Sequence, residues 1–373
     1  NTPTKTYGAG KGMASDLKFV ELCARQIAKV AKSNKIVVEK STLPIKTAEA
    51  IQNILDNTGN GVNFQILSNP EFLAEGTAIK DLTEPDRVLI GGDSSTKEGK
   101  AAIQSLVDIY SSWVPKENIL TTNVWSSELS KLVANAFLAQ RVSSINSISE
   151  LCDVTGANIN EVSKAVGMDN RIGSEFLQAS VGFGGSCFQK DILNLVYIAK
   201  SLGLIKVADY WHQVIKINDH QRFRFAKNII NTLYNTINGK TISFLGWSFK
   251  KNTNDSRESS AIYVADLLIE EKAIISVYDP QVSSCQIKTD LNYLKSRPDN
   301  ENEKYLKVAN NPYDALNGAH AVAVMTEWDE FINFDWLRIF KIMNKPAFVF
   351  DGRNILDRNK LENIGFIYKG VGL

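Results

Sequence analysis

Two regions of alternating strand-like and helix-like segments flank a long stretch that carries only helical patterns. In residues 1–125, short β-branched runs such as 35–40 alternate with segments that place apolar residues at helical spacing, such as 47–56. Residues 126–236 show helical patterns alone, and the alternation returns in 237–373. Strands that alternate with helices indicate a parallel sheet with crossover helices. The sequence therefore predicts the α/β class, with two parallel-sheet domains joined by a central helical domain.

The central stretch opens with a pattern that predicts one long helix from Ser126 to about Gly156. Ser126 or Ser127 has a side chain that commonly caps a helix N-terminus. Apolar residues recur at helical spacing and predict one buried stripe, which consists of Leu129, Leu132, Val133, Ala136 and Phe137. Further along the chain, residues 295–305 are polar and charged, which predicts a surface loop.

Composition excludes several functional classes. Of the 373 residues, 44% are hydrophobic and 22% are charged, the balance of an ordinary globular protein rather than of a disordered chain. The 42 Lys and Arg residues are matched by 41 Asp and Glu residues, so no nucleic-acid partner is expected. No apolar run approaches the roughly 18 residues of a membrane helix. The 4 Cys and 3 His residues show no metal-ligand or disulfide spacing, which predicts no metal site and a reducing cytoplasm.

The most informative window is VGFGGSCFQKD, at 181–191, because it combines glycines, a cysteine and the start of a helical pattern. Glycines let the backbone approach a ligand closely, and a helix N-terminus offers free N–H groups. Such a position favours a thiolate, so Cys187 is a candidate nucleophile, with Asp191 one turn along on the same face. The alternative is that Cys187 is a small buried residue after a tight turn.

Two further windows carry polar side chains that suit catalysis. Lys131 and Asn135 are four residues apart, so they share one helix face and suit the stabilisation of an oxyanion. The pattern alone favours the alternative, a solvated polar stripe. SNPEFLAEG follows a predicted strand, where Glu71 and Glu75 suit acid–base chemistry or ribose binding. The alternative there is an Asn-Pro turn that starts a short helix.

Three more windows lie at the ends of predicted strands. In EKSTLP, Ser41 and Thr42 contact a ligand or, as is commoner, cap the following helix. GWSFKKNTNDSRESS, at 246–260, is similar to a nucleotide-phosphate turn, although it lacks the spacing G-x-G-x-x-G. FDGRN presents Arg353 at another strand end.

Together, seven windows resemble the nucleotide-sugar 6-dehydrogenases, and within them the UDP-glucose 6-dehydrogenases of the animal type. They stand in the family order: NTPTKTYG, EKSTLP, NPEFLAEGTAIKDL, SSELSKLVANAFLAQR, GFGGSCFQKD, FKKNTNDSRESS and FDGR. GDP-mannose and UDP-N-acetylmannosamine dehydrogenases share the cysteine window but match less well elsewhere. The resemblance implies a Rossmann domain that binds NAD (1–125), a helical dimerisation domain (126–236) and a Rossmann-like domain that binds the UDP-sugar (237–373).

The resemblance also implies an activity: NAD-dependent, four-electron oxidation of UDP-glucose to UDP-glucuronate through a thiohemiacetal and a thioester on a cysteine. It implies homo-oligomers, with a dimer as building block and a hexamer in the intact protein. The implied catalytic residues are Cys187, Lys131, Asp191, Asn135, Glu71 and Thr42. The implied substrate contacts are Phe72, Leu73, Ala74, Glu75, Arg171, Phe183, Gly184, Phe249, Lys250 and Arg353. The implied NAD contacts are Asn1, Thr2, Pro3, Thr4, Ser41, Thr42, Glu75 and Arg257.

The start of the chain departs from the family pattern. The family opens with a strand, a glycine-rich dinucleotide turn and an acidic residue for the ribose. GAGKG, at 8–12, follows no predicted strand and has a different spacing. We therefore expect a fragment with an incomplete NAD domain, inactive as it stands. Two alternatives are a non-catalytic module that binds nucleotide sugars or assembles subunits, and a dehydrogenase for another nucleotide sugar.

Overall fold

The computed structural model describes residues 2–57 and 61–373, in which helices alternate with short strands. Contacts within the chain divide it into two compact units. The N-terminal unit consists of Asn1–Phe137 and Lys190–His212, and the C-terminal unit of Leu138–Gln189 and Gln213–Leu373. Each unit has its own hydrophobic core.

The N-terminal unit contains a four-stranded sheet in the order β1-β2-β3-β4. Its elements are α1 (Lys18–Val30), β1 (Lys35–Glu39), α2 (Thr47–Asp56), β2 (Phe64–Ser68), α3 (Ala78–Thr83), β3 (Val88–Gly91), α4 (Lys97–Tyr110), a 3-10 helix (Lys116–Asn118) and β4 (Ile119–Thr122). β1 pairs with β2, and β3 with β4, in parallel, while β2 and β3 share one antiparallel pair, Ser68 with Gly91.

Side chains alternate along β2 and give this sheet two buried faces. Phe64 and Ile66 pack with α1 and α2, whereas Leu67 packs with α4. Because helices cover the sheet, the loops at the carboxyl ends of the strands are where polar side chains meet a ligand.

Four helices follow: α5 (Val124–Thr155), α6 (Ile159–Gly167), α7 (Phe188–Ser201) and α8 (Ile205–Thr232). The predicted cap of the long helix α5 is wrong, because the side chain of Asn123 accepts from the backbone N–H of Ser126 at 2.8 Å. Of the predicted buried stripe, Phe137 is 53% exposed and packs edge-on against Trp211. The rest of that stripe is buried or half-buried.

In the C-terminal unit, six strands form a sheet in the order β10-β9-β8-β5-β6-β7, and each neighbouring pair is parallel. The elements are β5 (Thr241–Leu245), α9 (Ser260–Glu270), β6 (Ile274–Tyr278), α10 (Ser284–Tyr293), α11 (Asp299–Tyr305), β7 (Leu306–Val308), α12 (Pro312–Leu316), β8 (Ala321–Val324), α13 (Asp329–Ile332), α14 (Trp336–Ile342), β9 (Phe348–Asp351), α15 (Arg358–Ile364) and β10 (Ile367–Gly370). All residues of β8 and β9 are buried, as in a parallel sheet that is covered on both faces.

The surface loop predicted for residues 295–305 is wrong over its second half, where α11 forms. Asn302 on this helix is buried. Its amide donates to Asn292 at 2.8 Å and accepts from Arg297 at 2.9 Å. Such tertiary hydrogen bonds hold a segment whose polar composition indicates no helix.

The two sheets, with the long helices between them in the chain, confirm the predicted fold class. The domain divisions at residues 125 and 236 stay a prediction. Within the described residues, no helix is both long enough and apolar enough to cross a membrane.

Candidate active site

Two polar residues of α5 are buried in the N-terminal unit. Lys131 is 8% exposed and Asn135 is 6% exposed. The interpretation of this helix face as a solvated polar stripe, which the pattern alone favoured, is therefore wrong. Asn135 Nδ2 donates to Asp191 Oδ2, in the first turn of α7, at 2.6 Å. Lys190 Nζ lies 3.8 Å from Asp191 Oδ1. The two helices thus place an amide and a carboxyl group in hydrogen-bond contact, with ammonium groups nearby.

The carboxyl group of Asp191 experiences opposing electrostatic influences. Burial raises its pKa above the ordinary value, because the charged form is removed from water. The ammonium groups of Lys190 and Lys131 and the hydrogen bond from Asn135 oppose this rise, since each favours the carboxylate. The balance remains upward, so Asp191 holds its proton more readily than an exposed aspartate does.

The ring of Phe72 connects Lys131 with the loop that follows β2. Arg87 Cζ lies 3.9 Å, and Lys131 Nζ 5.1 Å, from the centroid of this ring. Both contacts have cation–π geometry, which fixes the ring between two positive charges. A residue that the resemblance assigns to the substrate therefore contacts Lys131, which the resemblance assigns to catalysis.

The loop after β2 lines a cavity of about 290 Å³. Its walls include Glu71, Phe72, Leu73 and Ala74. The short helix expected here begins only at Ala78, as α3, so these four residues lie in non-helical backbone. Glu75 is half-buried in the same loop.

Glu71 is paired with a residue that the sequence analysis did not single out. Its Oε1 lies 3.2 Å from Lys40 Nζ, in the loop after β1. The ends of the neighbouring parallel strands β1 and β2 bring these loops together, as their register requires.

The loop after β1 also carries Ser41 and Thr42, and neither caps α2. Instead, Glu128 of α5 accepts from the backbone N–H groups of Lys46 at 2.7 Å and Ala48 at 2.8 Å. The cap interpretation is therefore wrong, and both hydroxyl groups keep the ligand-contact alternative open. Ser41 is exposed and Thr42 is half-buried.

Glu39, the last residue of β1, is a buried carboxyl group that sequence reasoning missed. It is 7% exposed, and neither of its oxygens has a hydrogen-bond partner among the described residues. Burial, with a smaller contribution from the charge of Glu128, raises its pKa to about 8. The strand pattern gave no signal for this residue, because a glutamate that ends a strand is usually solvated.

In the C-terminal unit, α8 holds the backbone of the cysteine loop. Asn218 accepts from the N–H of Phe183 at 2.8 Å and donates to its carbonyl at 3.0 Å. Gln221 Nε2 donates to the Ser180 carbonyl at 2.6 Å. Buried Arg222 donates to the Phe183 carbonyl at 2.8 Å. These three side chains were missed because their partners lie far away in the sequence.

Cys187 itself is exposed and directly precedes α7, so the interpretation as a buried structural cysteine is wrong. Its Sγ lies 3.6 Å from the Ser186 hydroxyl oxygen. The glycines before it are required by close approach: a Cβ added at Gly184 would lie 2.6 Å from the Glu258 carbonyl oxygen. The loop therefore presents an accessible thiol from a tightly packed backbone.

The implied UDP-sugar residues of this unit lie against that loop. A Cβ added at Gly185 would lie 3.1 Å from the ring of Phe249. Arg353 donates to the Phe249 carbonyl at 2.9 Å and to the Met325 carbonyl at 2.7 Å. Lys250 Nζ lies 5.8 Å from the centroid of the Phe249 ring. The cysteine loop, Phe249 and Arg353 thus form one surface.

Arg171 and Arg257 have a different setting. Each is exposed and pairs at 2.6 Å with an acidic residue two positions earlier, Asp169 and Asp255 respectively. These local pairs hold both guanidinium groups at the surface of the C-terminal unit.

The residues that the resemblance assigns to NAD fit a nucleotide in part. Thr2 Oγ1 donates to the Thr42 carbonyl at 3.0 Å, so two of the implied segments meet at the carboxyl end of β1. The carboxyl group of Glu39, which has no hydrogen-bond partner among the described residues, ends the same strand. Polar groups at this edge of a parallel sheet are where nucleotides bind. Pro3 and Thr4 continue the first segment, and Asn1 lies outside the described residues.

Three models of the UDP-glucose/GDP-mannose dehydrogenase family match the chain. The NAD binding domain matches residues 1–114, the central domain 125–220 and the UDP binding domain 243–358.

Individual proteins agree with these matches. The UDP-glucose 6-dehydrogenase of Pongo abelii is 58% identical over 375 residues, which cover 100% of this chain and 76% of that protein. UDP-glucose 6-dehydrogenase 5 of Oryza sativa subsp. japonica is 58% identical, over 100% of this chain and 79% of that protein. A UDP-glucose dehydrogenase structure from Pyrobaculum islandicum is 31% identical, with a TM-score of 0.80 over 96% of this chain and 76% of that one. The identity extends over the whole of this chain, all three domain models match it, and the fold is shared. The chain therefore belongs to the UDP-glucose/GDP-mannose dehydrogenase family.

Proposed function

We propose that this protein catalyses the NAD-dependent oxidation of UDP-glucose to UDP-glucuronate. The observation that carries the proposal is the exposed Cys187 thiol, presented before α7 by a loop whose backbone is fixed on α8. The 58% identity with UDP-glucose 6-dehydrogenases supports the choice of substrate. When bound, NAD accepts a hydride in each of two oxidations, which take the sugar C6 from alcohol to aldehyde and then to the acid level.

Cys187 acts as the covalent nucleophile. Its sulfur adds to the aldehyde carbon, and the carbonyl oxygen gains the proton, which gives a thiohemiacetal. Oxidation of that adduct leaves a thioester. Water then adds to the thioester carbon, the C–S bond breaks, and the thiol and a carboxylate are released. Covalent attachment retains the reactive aldehyde and divides a difficult oxidation into easier steps.

Lys131 and Asn135 stabilise the oxyanions that form during these steps. Their burial strengthens this effect, because charges and dipoles interact more strongly away from bulk water. Asp191, whose pKa is raised by burial, works with Lys131 or a water molecule in proton transfer. Thr42 and Glu71 position the water that hydrolyses the thioester.

The binding residues that we propose are those that the resemblance implies. UDP-glucose contacts Phe72, Leu73, Ala74, Glu75, Phe183, Gly184, Phe249, Lys250 and Arg353. NAD contacts Thr2, Pro3, Thr4, Ser41, Thr42, Glu75 and Arg257. Arg171 reaches the site of a neighbouring subunit, in a cytoplasmic homo-oligomer that is built from dimers and forms a hexamer. The exposed position of Arg171 on its own unit supports that role.

The test is the yield of NADH from UDP-glucose with the full-length protein and its Cys187→Ser variant. We expect two NADH per UDP-glucuronate from the wild type. We expect no completed oxidation from the variant, because a hydroxyl group does not replace the thiol in the covalent steps. Normal turnover by Cys187→Ser would refute the role of the cysteine. Activity with another nucleotide sugar but not with UDP-glucose would leave the role of Cys187 standing and would refute UDP-glucose as the substrate.

A further inference from the structure

We propose that Lys40 is a positioning residue, which orients the Glu71 carboxylate for hydrolysis of the thioester. The inference rests on the proposed function, because it deepens the role assigned there to Glu71. Lys40 stands in the EKSTLP window, directly before the hydroxyl residues Ser41 and Thr42.

The ammonium group of Lys40 has three acceptors around it. Nζ donates to Asn69 Oδ1 at 2.9 Å and to the Tyr110 hydroxyl at 2.9 Å, and it lies 3.2 Å from Glu71 Oε1. A lysine ammonium has three N–H donors, so one partner for each determines its orientation. The direction from Lys40 to Glu71 is therefore fixed by the other two contacts.

Those two contacts belong to a rigid frame. Asn69 donates through its side chain to the Leu89 carbonyl at 2.8 Å and through its backbone to the Glu39 carbonyl at 2.8 Å. The Tyr110 hydroxyl donates to Asn69 Oδ1 at 2.7 Å. Asn69 and Tyr110 are buried. The ends of β1, β2 and α4, together with a carbonyl of β3, thus hold the lysine in place.

The pair itself is half-exposed, with side-chain exposures of 39% for Lys40 and 40% for Glu71. Ion pairs at such exposure contribute little to folding stability. The main consequence of the contact is therefore the direction of the carboxylate, which lines the cavity after β2.

This direction matters for one chemical step. In hydrolysis, the water oxygen adds to the thioester carbon while Glu71 takes a proton from that water. The C–S bond then breaks, and this proton passes to the departing Cys187 sulfur. With Oε1 held by Lys40, Oε2 is the oxygen that accepts the proton from the water. A carboxylate that rotates freely spends less time aligned with the water, so the step slows while substrate binding stays the same.

The test follows the Cys187 thioester in the full-length enzyme. Lys40→Met retains the side-chain volume and removes the charge, Lys40→Arg retains the charge, and Lys35→Met is a matched control at the exposed start of β1. After mixing with UDP-glucose and NAD, the reaction is quenched and the covalent adduct is quantified by intact mass. In Lys40→Met we expect thioester decay about tenfold slower, with KM for UDP-glucose within about twofold of wild type. Lys40→Arg is expected to recover most of the rate, and Lys35→Met to match the wild type.

The Glu71→Gln background separates the inference from the proposal beneath it. If Lys40 acts through Glu71, adding Lys40→Met to Glu71→Gln has no further effect on thioester decay. Additive effects, or wild-type decay in Lys40→Met while Glu71→Gln is slow, would overturn the inference alone. Unchanged decay in Glu71→Gln would overturn the role of Glu71. If Lys40→Met does not fold, Tyr110→Phe removes one of the other contacts and is expected to slow decay less, with KM unchanged; wild-type decay in that variant would also overturn the inference.

Discussion

Glu39 and Asp351 occupy the same position in two different sheets, and their surroundings are opposite. Each is the last residue of a parallel strand, β1 or β9, and each is buried. Asp351 accepts from the backbone N–H groups of Arg353 at 3.0 Å and Leu356 at 2.8 Å, and from the Tyr368 hydroxyl at 3.1 Å. Neither oxygen of Glu39 has a hydrogen-bond partner in the part of the chain that the structure describes.

The difference distinguishes Asp351, a carboxylate that stabilises the fold, from Glu39, whose ionisation lowers the free energy of unfolding. Burial raises the pKa of both groups, but around Asp351 the hydrogen bonds favour the charged form, whereas around Glu39 the charge of Glu128 disfavours it. Asp351 fixes the turn that carries Arg353, a proposed substrate ligand. Glu39 fixes no loop through its side chain, so its carboxyl group is available to titrate near neutral pH.

The largest loss of stability is expected when the partnered carboxylate is removed. Asp351→Ala leaves two backbone N–H groups and the Tyr368 hydroxyl without their acceptor, at a cost of about 3 kcal/mol in the free energy of unfolding. Urea unfolding measures this loss, and the KM for UDP-glucose should rise because Arg353 loses its anchor. Asp351→Asn, which keeps an acceptor oxygen, should lose less; equal losses would contradict the role given to hydrogen bonding.

A gain of stability, which depends on pH, is expected for Glu39→Gln. The pKa of Glu39 is about 8 in the folded protein against 4.5 for an unperturbed glutamate, so the folded state holds the proton more tightly. The stability this provides is complete below pH 4.5 and is lost as the pH rises through about 8. The amide, which never ionises, should therefore make the protein more stable than wild type above pH 8.

Thermal unfolding of Glu39→Gln and wild type across this pH range measures the difference. Glu117→Gln, at an exposed position of the same unit, is the matched control and should follow the wild type at every pH. A melting temperature of Glu39→Gln that falls with pH as steeply as that of wild type would mean that Glu39 is not the titrating group.

The smallest effect is expected for Asp93, an exposed carboxylate just after β3. Hydrogen bonds from the hydroxyl and backbone of Ser95 lower its pKa below the ordinary value of 3.8. Its contribution is thus present at neutral pH and lost as the pH falls below that value. Asp93→Ala should change the free energy of unfolding by less than about 0.5 kcal/mol at pH 7, since surrounding water replaces the lost contacts. If Asp93→Ala lowered the free energy of unfolding as much as Asp351→Ala, burial would not explain the difference between the two carboxylates.

Much of the fold follows from local pattern. α2 begins and ends where its apolar spacing predicts, because tertiary contacts there agree with local preference. The motifs also named the cysteine loop and the face of α5 that carries Lys131. The pattern was wrong at α11, whose sequence is almost entirely polar and was predicted to be a loop.

The environment of the site was not predictable in the same way. Glu128 caps α2 from about 80 residues away along the chain, and Tyr110 reaches Lys40 across 70. No periodicity encodes such pairs, since they exist only once the sheet has brought strand ends together. The same argument applies to Lys131 and Asn135, whose helix position indicates one shared face but not whether that face meets water.

The hydrogen bonds from α8 to the backbone of the cysteine loop have a consequence for the redesign of substrate preference. Asn218, Gln221 and Arg222 hold the cysteine loop through its backbone N–H and carbonyl groups, which every residue type but proline provides. Side chains such as Phe183 can therefore be exchanged without releasing the hydrogen bonds that set the course of the chain. In directed evolution towards other nucleotide sugars, libraries at Phe183 keep these backbone hydrogen bonds, whereas changes on α8 risk misplacing the nucleophile.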